Sequence, residues 1–282
     1  MIGLTLLTLL QNVLFLKRNE NKMNELIKYP RTRHIIGSRK QHGDDLEDVP
    51  FSEIKGKHLV VEEKVDGSNC GISFDHHGNL LLQSRGHFLR GGPRERQFDL
   101  LKAWANVNID MLFDIVSDRY IMYAEWLFAK HTCYYDALPN YFMEFDIYDK
   151  EQKFFLSEPK RNELLKGTNV QQVRVLHRGS VNSFDELKSM IGESAFISPG
   201  RLDVLKNEVT VTMGPEYVDK VVSETDLSPL MEGLYIKHEE DGRVVGRYKL
   251  IRESFTSTII DSETHWHDRP IIQNHVVPRL FP

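Results

Sequence analysis

Residues His58–Asn69 read HLVVEEKVDGSN, an apolar, β-branched run that closes on two acids, a lysine and an Asp-Gly pair. Val60 and Val61 favour a pleated strand, and Gly67 favours a break straight after it. Lys64 therefore stands at the inner end of a strand. One reading is an ordinary lysine whose ammonium reaches water. The other is a lysine held in place, which loses its proton near neutral pH through desolvation or neighbouring cations and attacks as a nucleophile.

Further strand-like runs surround this stretch, at 70–75, 80–85, 120–126, 141–148, 233–238 and 243–251. Asp66-Gly67, His77-Gly78-Asn79 and Asp241-Gly242 separate some of them and suit hairpin turns. Helical patterns fall at 94–117, 158–167, 183–191 and 253–261, with starts predicted at Ser157-Glu158-Pro159 and Ser183-Phe184-Asp185-Glu186. Strands with segregated helices and no repeat predict one α+β domain built on antiparallel sheets.

The chain has 282 residues, 40% of them hydrophobic and 27% charged, which suits a folded globular protein. A net charge of -5 argues against a surface that wraps nucleic acid all round, but a local basic groove is compatible with it. Two cysteines, Cys70 and Cys133, form neither a disulfide framework nor a metal-ligand spacing, which points to a reducing, cytoplasmic setting. Residues Ile2 to Leu16 are apolar, yet they lack the flanks of a signal peptide and fall short of the ~20 residues that span a bilayer. Residues 1–22 are read as an over-extended start or a stray apolar helix ahead of Met23, with no membrane partner expected.

Company strengthens the nucleophile reading. After KVDG come SRG at 84–86, AEW at 124–126, MEFDIYD at 143–149, EGLYIK at 232–237 and RYKLIR at 247–252. In that order, over residues 24 to 252, the set resembles the motif series of the covalent nucleotidyltransferases: DNA ligases, RNA ligases and mRNA capping enzymes. It most resembles the RNA ligases related to phage T4 RNA ligase 2. Asn69 stands where DNA ligases and capping enzymes usually carry Arg, and Arg85 matches a residue that the RNA ligase 2 branch uses near the nucleic-acid phosphate.

The resemblance implies a nucleotidyltransferase (ATP-grasp-like) domain over 23–252 and a set of roles. Lys64 would attack the α-phosphate of ATP and carry lysyl-AMP. Glu125 would bind the ribose, and Phe142 or Phe145 would stack on adenine; strand alternation puts these two rings on opposite faces. Lys237 and Lys249 would stabilise the phosphates as catalytic cations, beside Arg247, Asp66, Gly67 and Asn69. Glu232, with Asp66, would face Mg²⁺ or Mn²⁺, hard ions that take oxygen ligands. The implied activity seals 5′-phosphate and 3′-hydroxyl RNA ends, at a nicked duplex or a broken loop, in RNA repair, beside a kinase or phosphatase that heals ends. The alternatives are an RNA-end-binding module without ligation, a capping-type guanylyltransferase or a small DNA ligase.

Two departures stand out. The fifth motif usually reads Lys-x-Lys, but here it is Arg247-Tyr248-Lys249, and an arginine keeps the charge without the geometry. The tail 253–282 is too short for the OB-fold that many relatives carry, and is expected as a short helix and an extended arm on the domain. Segment 84–96, SRGHFLRGGPRER, sets four arginines against one acid and reads as a solvated loop or as a surface that tracks phosphates. RTRH at 31–34, with Arg39, Lys40 and His42, is a second basic patch. His265 and His267, and His76 with His77, read as ordinary histidines, and Trp104, Trp126, Tyr134 and Tyr135 as core or pocket wall.

Overall fold

The apolar runs pair into a single sheet in the computed structural model, which describes residues 25–40, 47–255 and 270–277. Its strands are β1 Arg33–His34, β2 Leu59–Lys64, β3 Ser68–Phe74, β4 Leu80–Ser84, β5 Tyr120–Trp126 and β6 Phe142–Asp149. They continue with β7 Phe154–Leu156, β8 Gln171–Gln172, β9 Val175–Gly179, β10 Gly233–Glu240 and β11 Arg243–Ile251. The helices are α1 Asp99–Val107, α2 Ile109–Val116, α3 Glu158–Leu165, α4 Phe184–Ser189, α5 Arg201–Thr212 and α6 Val218–Ser223. The fold is α+β: antiparallel pairing predominates, and only the two-residue strands β1 and β8 pair in parallel, with β11 and β6.

The strand order is β4-β3-β5-β6-β7-β11-β10-β2-β9, so two runs of four strands meet at the short β7. One face of β3–β6 packs Ile72, Phe74, Met122 and Ala124 against Leu101, Ala105 and Leu112 of α1 and α2. One face of β2, β10 and β11 packs Val61, Ile236 and Leu250 against Leu187 of α4. A third cluster takes residues from both runs, including Tyr123, Met143 and Phe145 from one and Val244 and Ile251 from the other, with Tyr29 and Phe155 among them. The runs therefore face each other across a shared apolar seam.

Asp66-Gly67 is not a hairpin turn. β2 pairs with β9 and β10, whereas β3 pairs with β4 and β5. Residues 65–67 instead carry the chain from one run to the other, which sets Lys64 at the junction. The other two turns are hairpins. Asp75 accepts hydrogen bonds from His77 N, Asn79 N and the Asn79 amide between β3 and β4. Asp241 and Gly242, at φ 51° and 76°, make the two-residue left-handed link from β10 to β11.

The expected 94–117 helix is broken into a 3₁₀ turn, α1 and α2, with the Asn108 amide capping Trp104 O at 2.8 Å. Ser183 caps α4 through Glu186 N as its sequence predicts. Ser157 does not cap α3 with its hydroxyl; Glu158 N donates instead to Glu239 Oε1 at 2.8 Å. β7–β9, α5 and α6 were not expected from the sequence. Residues 270–277 lie along 127–138, where Asn274 N donates to Phe128 O and the Asn274 amide donates to Leu127 O, both at 2.9 Å. Residues 1–22, His42, His265, Trp266, His267 and the 253–261 helix beyond Phe255 lie outside the described residues.

Candidate active site

The register of three strands assembles the site. Across β2, β10 and β11 the opposed residues are Lys64, Gly233 and Ile251; then Glu62, Tyr235 and Lys249; then Val60, Lys237 and Arg247. Opposed side chains share a face, so Lys64, Glu62, Tyr235, Lys237, Lys249 and Arg247 all project to one side. A Cβ at Gly233 would meet Leu250 O at 2.1 Å, so only glycine fits opposite Lys64.

Lys64 Nζ lies 2.7 Å from Glu232 Oε2, and its side chain is 24% exposed. Burial alone would lower its pKa, but Glu232, Glu125 and Asp66 outweigh burial and raise it. Of the cations expected to depress Lys64, Lys249 lies two residues further along the strands and Lys237 and Arg247 four, about 13 Å, so the nearer carboxylates set the direction of its shift. The carboxylates carry the complementary shift. Glu232 rises to about 7, chiefly through burial, opposed by Lys64. Glu125 rises to about 8, again chiefly through burial and against the pull of Lys64.

Gly67 N donates to Glu125 Oε1 at 3.2 Å. A Cβ at Gly67 would come within 2.6 Å of Leu127 Cδ2 and 2.7 Å of Trp126 O, so glycine serves close approach to the end of β5. Asp66 is largely a strut. Its Oδ2 accepts Thr132 N and Cys133 N at 2.7 and 2.8 Å, and Asp66 N donates to Tyr135 Oη at 2.8 Å. That leaves Oδ1, 3.8 Å from His131 Nδ1. Asn69 sits opposite Glu125, and its buried Oδ1 has no hydrogen-bond partner among the described residues. Arg85 is exposed one residue beyond the Cys70–Ser84 pair, at the same end of the sheet.

The structure separates the two phenylalanines. Phe142 is buried and stacks on Trp104 with centroids 5.0 Å apart, so it is core and not a pocket ring. Phe145 lies in the seam, against Tyr29 at 5.1 Å and Tyr235 at 6.0 Å.

Lys237 departs from its expected place among the cations around Lys64. It is fully buried, 2.8 Å from Glu62 Oε2, and donates to the Phe145 carbonyl. Arg161 joins Glu62 at 2.6 Å to Glu144 at 3.0 Å. Arg247 Nε meets Asp146 Oδ2 at 3.0 Å and the Tyr29 hydroxyl at 3.1 Å, with its guanidinium 3.8 Å over the Phe155 ring. Burial works against the Arg247 charge, yet Asp146 holds its pKa above the usual value. Tyr29 Oη also donates to Asp146 at 2.8 Å. Arg247 thus serves as a buried tie between strands.

Tyr29, Glu62, Glu144, Asp146 and Arg161 were not singled out from the sequence. Asp146 had a signal, MEFDIYD, but alternation alone places it with Phe142 and Glu144. A bulge intervenes: Tyr123 pairs Asp146 while Ala124 pairs Glu144, so one extra residue re-aims Asp146.

Among the described residues no group of three or more His, Cys, Asp or Glu is arranged to hold a metal ion. Glu232, whose Oε2 meets Lys64, and Asp66, whose Oδ1 faces His131, suit an ion that takes one or two carboxylates and completes its shell with phosphate and water. No helix among the described residues is long and apolar enough to cross a membrane.

A family model described as RNA ligase matches residues 57–251. No curated protein sequence matches the chain. Among solved structures, the chain is similar to Naegleria gruberi RNA ligase with PPi, at 18% identity and TM-score 0.45, covering 85% of this chain and 64% of that one. An arginine-to-alanine variant of that ligase with ATP and Mn matches at 18% identity and TM-score 0.48, over 84% and 59% of the two chains. A lysine-to-methionine variant with AMP and Mn matches at 17% identity and TM-score 0.44, over 82% and 62%. The chain thus spans about three fifths of the length of these structures.

Proposed function

The chain belongs to the RNA ligase family, and on that premise we propose that it is an ATP-dependent RNA ligase working through lysyl-AMP on Lys64. The observation that carries this reading is a partly open lysine at the junction of two sheet runs, 2.7 Å from the Glu232 carboxylate. An ammonium is not a nucleophile, and Glu232 is the base nearest to it.

In the proposed first step, Lys64 gives a proton to Glu232 and its Nζ attacks the α-phosphorus of ATP. A P–N bond forms, and the bond to pyrophosphate breaks. An RNA 5′-phosphate oxygen then attacks the same phosphorus and releases Lys64. Finally an RNA 3′-hydroxyl attacks the adenylylated 5′-phosphate, AMP leaves, and a phosphodiester remains. Glu125 and Asn69, opposed on β5 and β3, suit contacts to sugar hydroxyls. Lys249 acts electrostatically on Glu232 and is the cation best placed for the α-phosphate. Phe145 is the ring for adenine, and Tyr29, which lies against it, has to yield some room. A divalent metal, held by Asp66 and by Glu232 once that carboxyl has passed its proton on to solvent, would neutralise charge on the phosphates.

The same reading covers work on broken RNA in the cytoplasm, with an end-healing kinase or phosphatase supplying the 5′-phosphate and 3′-hydroxyl. Sealing tests it. A nicked duplex and a broken hairpin, each with those ends, are incubated with ATP and Mg²⁺. Joined product with the wild type and none with Lys64→Ala supports a ligase. AMP-capped strands that never join would restrict the protein to adenylyl transfer.

A further inference from the structure

The arginine-rich segment Ser84–Phe98 is a built element. It folds back as a narrow hairpin, with Gln83 bridging Phe88, Ser84 N donating to His87 O at 2.9 Å and Leu89 N donating to Leu82 O at 2.8 Å. Gly91 and Gly92, at φ 104° and 130°, turn the chain where a side chain is strained. The segment's one acid, Glu95, points inward and is buried. Its carboxylate accepts Arg90 N at 3.2 Å and Gly91 N at 2.7 Å, and pairs with Lys102 of α1 at 2.9 Å.

The far end is tied to the site. Gln97 is buried; its Oε1 accepts Ser68 Oγ at 3.1 Å and its carbonyl accepts Trp126 Nε1 at 2.6 Å. Ser68 directly precedes Asn69, and Trp126 directly follows Glu125. Charge is sorted accordingly. The acid is spent on the loop's own backbone and on Lys102, while Arg85, Arg90 and Arg96 are exposed, with no ion pair among the described residues. Exposed guanidiniums on a fixed backbone suit planar, bidentate contacts to phosphate.

We infer that Ser84–Phe98 is a preformed rim whose Arg90 and Arg96 grip the sugar-phosphate backbone of the RNA substrate, with Gln97 fixing the rim relative to the Lys64 pocket. The inference rests on the ligase reading for the identity of the substrate. The rim orders no strand sequence, because phosphate contacts position a nucleic acid without reading its bases. Glu95 and Gln97 are positioning residues.

The test is the salt dependence of binding of a short 5′-phosphorylated RNA to the full chain, between about 50 and 200 mM KCl. Each phosphate neutralised contributes about 0.7 to 0.9 to the slope of log affinity against log salt, so Arg90→Ala/Arg96→Ala should lower the slope by about 1.4 to 1.8. Arg90→Lys/Arg96→Lys should restore the slope, since lysine keeps the charge. An unchanged slope in the alanine variant, or no RNA binding by the wild type, overturns the rim. An equal loss of label transfer from α-labelled ATP in the alanine variant also overturns it, by placing the arginines on the nucleotide's phosphates. A lowered slope in a chain that takes no label would uphold the rim and sink the ligase reading, so the two failures are distinct.

Discussion

Two charge clusters centre on lysines that share one face of the β2-β10-β11 run, and they are built on opposite plans. Around Lys237, three carboxylates (Glu62, Glu144, Asp146) meet three cations (Arg161, Lys237, Arg247), in buried contacts of 2.6 to 4.0 Å. Around Lys64, one lysine meets three carboxylates, Glu232, Glu125 and Asp66, and is partly open to solvent. The first cluster is balanced and acts as a keel between the runs. The second crowds three carboxylates around Lys64, with Lys249 acting on Glu232 from further off, and the raised pKa values of Glu232 and Glu125 relieve that crowding. Satisfied charge holds the fold, and unsatisfied charge leaves something for a ligand to complete.

The contrast is broken most sharply at Arg161. Arg161→Met removes one partner of two buried carboxylates, and should cost roughly 3–5 kcal/mol in urea unfolding, because an unpaired buried charge outweighs the lost attraction. A loss below about 1 kcal/mol would mean that the cluster is not a keel.

Glu125→Gln should act in the opposite direction. With its folded pKa raised to about 8 against an ordinary 4.5, Glu125 keeps its proton more tightly when folded than when unfolded. Its cost to stability is therefore absent near pH 4.5, grows as pH rises, and levels off above about pH 8. The variant should gain roughly 1–3 kcal/mol above pH 8, a figure discounted for partial solvent access, and almost nothing near pH 4.5. Thermal melts across that range check it. A gain independent of pH would point to packing instead.

The smallest effect is expected at Tyr29, at the edge of the Lys237 cluster. Tyr29→Phe keeps the ring contacts to Tyr123 and Phe145 but removes a hydroxyl shared by Asp146, Tyr235 and Arg247. The loss should be about 1 kcal/mol in chemical unfolding. A neutral result would make the hydroxyl dispensable to the Arg247 tie.

Much of the site could be read along the chain. Period-2 runs marked β2, β5, β6, β10 and β11, and the order of short motifs picked out Lys64, Glu125, Glu232 and Lys249. What stayed hidden depends on pairing. KVDG looks like a turn from its composition, and only the absence of a β2–β3 pair makes it a crossover. Asp146 was masked by a single-residue bulge. Arg161 meets Glu62 across 99 positions of sequence, and no local pattern in EPKRNELL announces that its arginine is buried. Phe142 and Phe145 have the same composition and differ only in the face that packs Trp104. Helix α5 contains Val209 and Val211, β-branched residues with modest helix propensity, and no side-chain cap marks its start.

The central claim is that the Lys64 cluster is left unbalanced in order to carry a nucleotide covalently. The full chain is incubated with Mg²⁺ and α-labelled ATP or GTP, denatured, and examined for label on Lys64, beside Lys64→Ala. The account predicts label from ATP that peptide mapping places on Lys64 and that the alanine variant lacks. Label from GTP alone, or no label in a chain shown free of bound AMP, would contradict it.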